Sequence, residues 1–458
     1  MKIAVEGCCH GELPAIYKQI QVLESQRNIK VDLLLVCGDF QALRNRSDLE
    51  CMAVPDKFKA LGDFHRYYTG ELEAPVPTIV IGGNHEASNY LWELYHGGWL
   101  APNIYFLGHA GCIRVNGIRI AGVSGIFKSG DFTMGHAERL PYNRSTMRSI
   151  YHCREYDIRR VSLLTSPHIF LSHDWPAGIE HHGDFNRLMR RKPYFRADSQ
   201  KGELGSPPLM DVLRNLKPQW WFSAHLHVRF EAEVLHGPAP PAPEPAPAPP
   251  PVANPDEIAI DDLDDEEVDK PTKADDSAAS APKDAPAAPA SFNPDEIALD
   301  DEEEDVAPPP APPPPPPKTR FLALDKCLPK REFLEVVDIP APEGGSTDGL
   351  VLTFDPEWLA IQRAMHPLLS TTTSQPPFPG PEEAWNRVNE EFAWVQANVP
   401  KLFKDPKQWR IEEIQRFEPS APGGDVTTGP RGQQPPFYLN KQTVAFTEML
   451  QVANKIIR

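Results

Sequence analysis

Thr78-Ile79-Val80-Ile81-Gly82-Gly83-Asn84-His85-Glu86 decides how the rest of the chain is read. Four apolar or β-branched residues closed by two glycines specify a buried strand ending in a tight loop. That loop sets an amide oxygen beside an imidazole. The arrangement recurs, because strand-like runs also end in Cys8-Cys9-His10, Gly38-Asp39, Ser172-His173-Asp174 and His225-Leu226-His227. Five polar clusters at the carboxyl ends of strands outline a metal centre.

The 458 residues suffice for two or three domains and a substantial core. No apolar run approaches the roughly 20 residues needed to span a bilayer. The amino terminus lacks the apolar region of a signal peptide. A soluble, intracellular chain with no membrane partner is expected. Seven cysteines are an odd number for a disulfide framework, so reduced thiols are expected, one or more of them binding metal. The net charge of −18 is local: residues 237–318 hold 21 Asp or Glu against 4 Lys, which is −17 of it. Everything else carries about −1, so the acidity does not argue against RNA in a folded domain.

Taken in order, residues 2–7 read as a strand with Ile3 and Val5 inward. Leu13, Ile16, Ile20 and Leu23 then mark an amphipathic helix. Residues 31–37 form a second buried strand, 56–68 a helical region, and 78–81 the strand before Asn84. This alternation predicts an α/β layered domain. Alternating residues flank Asn116-Gly117, which supplies the positive φ angles of a type I′ hairpin across 112–120. Residues 168–172, 219–223 and 228–235 are further strands, with Trp220, Trp221 and Phe222 as core.

Residues 125–161 show no clear periodicity and mix Tyr and Phe with Lys, Arg and His, a composition suited to stacking on bases and neutralising phosphates. A surface excursion with inward aromatics is the plain alternative. From 237 to 318, Pro-Ala tracts, acidic runs and a hexaproline stretch predict a disordered linker. It repeats Asn254-Pro255-Asp256-Glu257-Ile258-Ala259 as Asn293-Pro294-Asp295-Glu296-Ile297-Ala298, read as duplicated spacer rather than a docking motif. Order resumes at 321–329, and helices at 356–365, 384–397 and 443–457 suggest a smaller, mainly helical C-terminal domain over 319–458. Within it, 418–436 is expected to be flexible.

A lone interior histidine is more often a hydrogen-bonded core residue than a ligand. The joint order Cys8-x-His10, Gly38-Asp39, Gly83-Asn84-His85-Glu86, His173 and His225-x-His227 is a different matter. It resembles the calcineurin-like metallophosphoesterases, whose blocks read D-x-H, G-D, G-N-H-[DE], H and H-x-H, over residues 1 to about 235. The resemblance implies a four-layer sandwich of two mixed sheets flanked by helices. It also implies two divalent metals roughly 3.5–4 Å apart. Cys8, His10, Asp39 and His227 would hold one and Asp39, Asn84, His173 and His225 the other, with Asp39 bridging. His85 would stabilise charge on phosphorus and protonate the leaving oxygen.

Cys8 stands where that family normally has Asp. A thiolate is the softer ligand, which favours Fe²⁺ or Zn²⁺, with Mn²⁺ a third option. The alternative is a buried cysteine in a degraded first site, while Cys9 and Cys37 read as core thiols. Within Glu6-Gly7-Cys8-Cys9-His10-Gly11-Glu12-Leu13, Cys8 makes the chain similar to the RNA lariat debranching enzymes. Ser172-His173-Asp174-Trp175-Pro176, Tyr151-His152-Cys153-Arg154 and 321–329 add to that resemblance. It implies hydrolysis of the 2′–5′ phosphodiester of branched intron lariat RNA, a nuclear location, and a recognition loop at 125–161 whose RNA contacts would be Lys128, Tyr151, His152 and Arg154. Splicing or RNA-turnover proteins would be partners for the acidic linker. A general nuclease or phosphatase of the superfamily is the competing activity, and a non-catalytic scaffold the third reading.

Overall fold

Alternation along the first strands sets the layers. Ile3, Val5, Leu33, Leu35, Ile79 and Ile81 belong to one apolar core, while Ala4, Leu34, Val36 and Val80 belong to another. Period-two alternation with both faces apolar is what a sheet covered on both sides requires. The computed structural model describes residues 1–237, 317–342, 349–430 and 432–456. Residues 238–316 of the expected acidic linker, with its near-repeat and all but the last residue of the hexaproline stretch, lie outside the described residues; Lys318 instead opens a strand.

The strands are β1 (Lys2–Glu6), β2 (Leu33–Val36), β3 (Thr78–Val80), β4 (Gly98–Ala101), β5 (Ile104–Phe106) and β6 (Ala110–Val115). They continue as β7 (Ile118–Val123), β8 (Ile169–Ser172), β9 (Trp220–Ser223), β10 (Phe230–Leu235), β11 (Lys318–Ala323), β12 (Leu334–Asp338) and β13 (Leu352–Phe354). One mixed sheet runs β12-β1-β2-β3-β5-β4 and the other β10-β11-β9-β8-β7-β6-β13. In the first, β1, β2, β3 and β5 are parallel; in the second, β7, β8, β9 and β11 are. The β6–β7 hairpin turns at Asn116 and Gly117, with φ of 47° and 86°, as the Asn-Gly pair predicts.

The helix Leu13–Arg27 covers the outer face of the first sheet through Leu13, Ile16, Tyr17 and Ile20. Across the second sheet, Glu155–Ser162 packs on β6 and β7, with Pro207–Leu216 and Pro356–Met365 against it. The α/β sandwich of two mixed sheets flanked by helices is therefore present. None of the helices among the described residues is long and apolar enough to cross a membrane.

The C-terminal segment is woven into the sheets rather than packed beside them. Its β11 lies between β9 and β10, β12 pairs with β1, and β13 with β6. Residues 1–238 and 316–458 accordingly cluster as one unit. Short strands such as Leu352–Phe354 carry too few alternations to be seen in sequence. Within 418–436, a stretch expected to be flexible, residues 420–422 are bonded to the N-terminal part of the chain. Arg44 donates to Ser420 Oγ (3.0 Å), Asn45 to the Pro422 carbonyl (2.8 Å) and Tyr68 OH to the Ala421 carbonyl (2.9 Å). Such long-range bonds are not revealed by composition. The region 56–68 is also less helical than expected, with one 3₁₀ turn at Asp56–Phe58 and a short helix at Phe64–Tyr68.

The interleaving depends on one glycine. A Cβ on Gly7 would overlap the Asp325 carbonyl oxygen and the Leu324 carbonyl carbon. Gly7→Ala should therefore push 324–325 away from the β1 loop and destabilise the fold by about 1–3 kcal/mol, read as a lower Tm.

Two buried histidines away from the metal centre contribute to acid lability. Among the described residues His96 has no hydrogen-bond partner on either ring nitrogen, and it stacks on Phe446 with centroids 5.3 Å apart. His366 lies 6.2 Å from it. Burial lowers both below the ordinary histidine value, His366 to about 4. A lowered folded-state pKa leaves stability intact above the unfolded value near 6.5 and removes it as pH falls below that. Each such group makes folding less favourable as the pH descends through that range. Thermal melts should show Tm falling between pH 6.5 and 5, and His96→Phe should raise Tm most at the acid end. A phenyl ring loses no hydrogen bond there. An unchanged pH slope in His96→Phe would refute the assignment.

Candidate metal centre

Five parallel strands deliver the polar clusters to one place. β1, β2 and β3 of one sheet end just before Cys8, Asp39 and Asn84, and β8 and β9 of the other just before His173 and His225. Ligands commonly bind outside the carboxyl ends of such strands. Four site residues hold left-handed backbone: His10 (φ 47°), Asp39 (49°), His225 (63°) and His227 (47°). Asp and His tolerate that region better than β-branched residues, and strain of this kind gathers at functional sites.

One donor atom each from Cys8, His10, Asp39 and His227 lies within 4.8 Å of all the others. His10 and His227 meet Nε2 to Nε2 at 3.4 Å, and His10 Nε2 is 3.5 Å from Asp39 Oδ2. On the other side of Asp39, His173 Nε2 is 3.3 Å from its Oδ1 and 3.1 Å from Asn84 Oδ1. The His173 and His225 rings are 5.1 Å apart. The structure thus gathers the other six expected ligands around Asp39.

His173 tests whether cations suit this set. Its Nδ1–H donates to the Cys37 carbonyl at 2.7 Å, and burial lowers its pKa, so the ring is neutral and Nε2 is bare. That lone pair then faces two oxygen acceptors with no proton between them. A cation resolves the conflict, and a backbone carbonyl fixing the tautomer is the usual support of a histidine ligand. Burial likewise lowers His10 to about 4, His225 to about 3 and His227 to about 2. Burial raises the Asp39 carboxyl, but His173, His85 and His10 more than reverse it and hold it well below its ordinary value. Neutral imidazoles around a buried carboxylate are a ready donor set. Burial, Asp39 and Glu6 push the Cys8 thiol well up, while the His225 N–H donates to Cys8 Sγ at 3.1 Å. A cation at this sulfur would displace its proton.

His85 sits at the mouth. Its side chain is 16 % exposed against 0 % for His173, with Nδ1 3.3 Å from Asp39 Oδ2. Its backbone N–H donates to Asp39 Oδ1 at 2.9 Å. Glu86 latches the two loops. It accepts from the N–H groups of Phe40 (2.8 Å), Gly83 (2.9 Å) and Gln41 (2.8 Å), while burial and then Asp39 push its carboxyl up to about 8. The sequence reading gave Glu86 no role. Its signal is the acidic residue that closes Gly83-Asn84-His85-Glu86. All seven cysteines are unpaired and buried, so Cys9 and Cys37 are core thiols as expected.

The four expected RNA contacts divide. Lys128 and Tyr151 are partly exposed on the 125–161 loop. Arg154 is corrected: it is 1 % exposed and donates to Glu138 Oε1 (2.6 Å), the Ser149 carbonyl (3.0 Å) and the His152 carbonyl (3.1 Å). It braces the loop from inside. His152 is buried too, with Nδ1 2.6 Å from Asp131 Oδ2. The segment also contains the helix Glu155–Ser162, hidden in sequence because polar Asp157 and Arg160 occupy its buried face, paired at 2.5 Å.

Residues 1–229 match the family model of calcineurin-like phosphoesterases, and residues 316–455 that of the lariat debranching enzyme C-terminal domain. The lariat debranching enzyme of Schizosaccharomyces pombe is 42 % identical, with 100 % of this chain and 97 % of the relative aligned. That of Drosophila pseudoobscura pseudoobscura is 43 % identical over 99 % of this chain and 77 % of its own. The Arabidopsis thaliana enzyme is 43 % identical over 98 % and 86 %. Both matched regions supply strands to the sheets that carry the metal-binding loops, and at this identity along the whole length the chain belongs to the lariat debranching enzyme family.

Proposed function

We propose that this chain hydrolyses the 2′–5′ phosphodiester at the branch point of excised intron lariat RNA. The observation that carries this reading is the closure of six donor side chains around Asp39, in a chain whose C-terminal part is that of the debranching family. A pair of divalent cations, when bound, supplies Lewis-acid polarisation of the phosphate and a water of lowered pKa. Cys8, His10, Asp39 and His227 would hold one, and Asp39, Asn84, His173 and His225 the other. Asp39 would be common to both, its Oδ2 lying 3.5 Å from His10 Nε2 and its Oδ1 3.3 Å from His173 Nε2. Water adds to phosphorus and the bond to O2′ breaks. His85 delivers a proton to that departing oxygen, leaving a 5′-phosphate and a free 2′-hydroxyl. Lys128 and Tyr151 hold the RNA from the neighbouring loop.

A synthetic branched RNA tests this: release of the 2′-linked arm with the linear 3′–5′ bonds intact is expected. Equal cleavage of linear RNA or of a phosphoprotein would favour a general nuclease or phosphatase instead. Nuclear placement follows from the substrate, and fractionation of cells expressing the tagged chain checks it. The acidic residues 237–318 are assigned to contacts with splicing or RNA-turnover proteins.

Cys8 sets the metal preference. With a sulfur donor in the first site, Fe²⁺ or Zn²⁺ is favoured over Mn²⁺. Cys8→Asp should shift metal content and reactivation toward Mn²⁺ and Mg²⁺, measured by elemental analysis and by activity after chelation and reloading. Unchanged selectivity would defeat this role for the sulfur.

A further inference from the structure

The segment 321–329 resembles the family's sequence but takes no part in the ligand set. In the structure it lies against the first metal-binding loop. Cys8 N–H donates to the Asp325 carbonyl at 3.3 Å, Cys327 N–H to the Cys8 carbonyl at 3.1 Å, and Lys326 pairs with Cys8 as a β-bridge. Lys326 is therefore at the rim of the centre, partly exposed, and its charge acts on His10 and His227.

Positive charge continues outward from there. Lys330 and Arg331 are exposed on the same turn, and Arg331 reaches Asp325 at 3.5 Å. The next residue, Glu332, pairs with Arg191 at 3.0 Å. This joins the turn to the helices Phe185–Arg191 and Phe195–Lys201. Residues 185–201 hold six Lys or Arg and one acid, Asp198. That is a local excess of five charges in a chain that carries about −1 outside its acidic stretch. At the junction of the two helices Tyr194 is 46 % exposed, with the Lys192 ammonium 5.7 Å from its ring centre. Arg187 and Arg191 line a cavity of about 260 Å³, whose wall also includes Asp184 and Glu231.

We infer that this surface, from Lys326 through Arg331 to Arg191, Lys192 and Tyr194, guides a single-stranded arm of the branched RNA away from the metal centre. The inference rests on the proposed RNA substrate. Cations spaced along a surface follow a phosphate backbone, and an exposed aromatic ring offers any base a face to stack on. Continuity with the Cys8 loop favours an RNA arm over a protein partner, because only a strand bound at the centre must leave across this rim. The chain's own acidic residues 237–318 are the competing occupant.

The test uses the full-length, metal-loaded protein and two synthetic branched RNAs. One has arms of ten or more nucleotides, the other arms trimmed to one. Arg191→Ala/Lys192→Ala should raise KM for the long-armed RNA about five- to twentyfold with kcat unchanged, and leave the trimmed RNA unaffected. The salt dependence of binding to a fluorescent oligouridylate should lose about 1.4 units of log–log slope, at about 0.7 per phosphate contact. Tyr194→Ala should weaken oligouridylate binding severalfold without changing that slope. An unchanged KM on long arms, or equal losses on both RNAs, overturns the track. A lower KM in the double variant also overturns it, in favour of the acidic residues 237–318 as occupant. If the wild-type protein cleaves neither RNA, the failure lies in the proposed substrate instead.

Discussion

Asp39→Asn is expected to abolish branched-RNA cleavage, by at least roughly 10³-fold, and to strip metal from the protein. Losing one electrostatic contact to a transition state costs about 10²–10³ in kcat. Asp39 does more than that, since its Oδ1 faces His173 at 3.3 Å and its Oδ2 faces His10 at 3.5 Å. Both proposed sites lose their only carboxylate together. Asn preserves the shape: it accepts the φ of 49° as readily as Asp, and its oxygen still takes the His85 N–H. It also removes a buried negative charge that only cations and imidazoles offset, so Tm of the metal-free protein should not fall greatly. Elemental analysis and branched-RNA cleavage check the two limbs. Full metal content in the variant would mean that Asp39 is not the shared ligand.

The sandwich and the centre were legible because their signals are local. A short buried strand followed by a polar cluster, with Gly between them in three of the five cases, states where a side chain ends up. Five such statements need only be brought together by the sheets. What escaped notice depends on distant partners. Arg154 looks like an RNA ligand in Tyr151-His152-Cys153-Arg154, and only Glu138, sixteen residues earlier, converts it into an internal brace. The role of 321–329 is likewise invisible until β11 places it beside Cys8. Residues 418–436 lack periodicity, yet Arg44, Asn45 and Tyr68 bond to Ser420, Pro422 and Ala421 from more than 350 positions away. Left-handed backbone at four site residues has no signature in sequence at all, since glycine occupies none of them.

His85→Ala is expected to lower kcat on branched RNA by roughly 10²–10⁴-fold, the usual contribution of a positioned general acid, with metal content unchanged. The separation is possible because His85 acts on the centre in two ways. Its backbone N–H supports Asp39 Oδ1 at 2.9 Å, and the alanine variant keeps that bond. Its imidazole, partly exposed at the mouth, is the group lost. A ligand histidine would take a cation with it; a proton donor would not. The leaving group distinguishes the roles further. The ribose 2′ oxygen departs as a strongly basic alkoxide unless protonated, whereas a nitrophenolate departs unaided. On a nitrophenyl phosphodiester the same variant should therefore lose less than about tenfold, because no acid is needed there. Equal losses on both substrates, or cations missing from the purified variant, would place His85 among the residues that build the centre rather than the one that hands a proton to the departing oxygen.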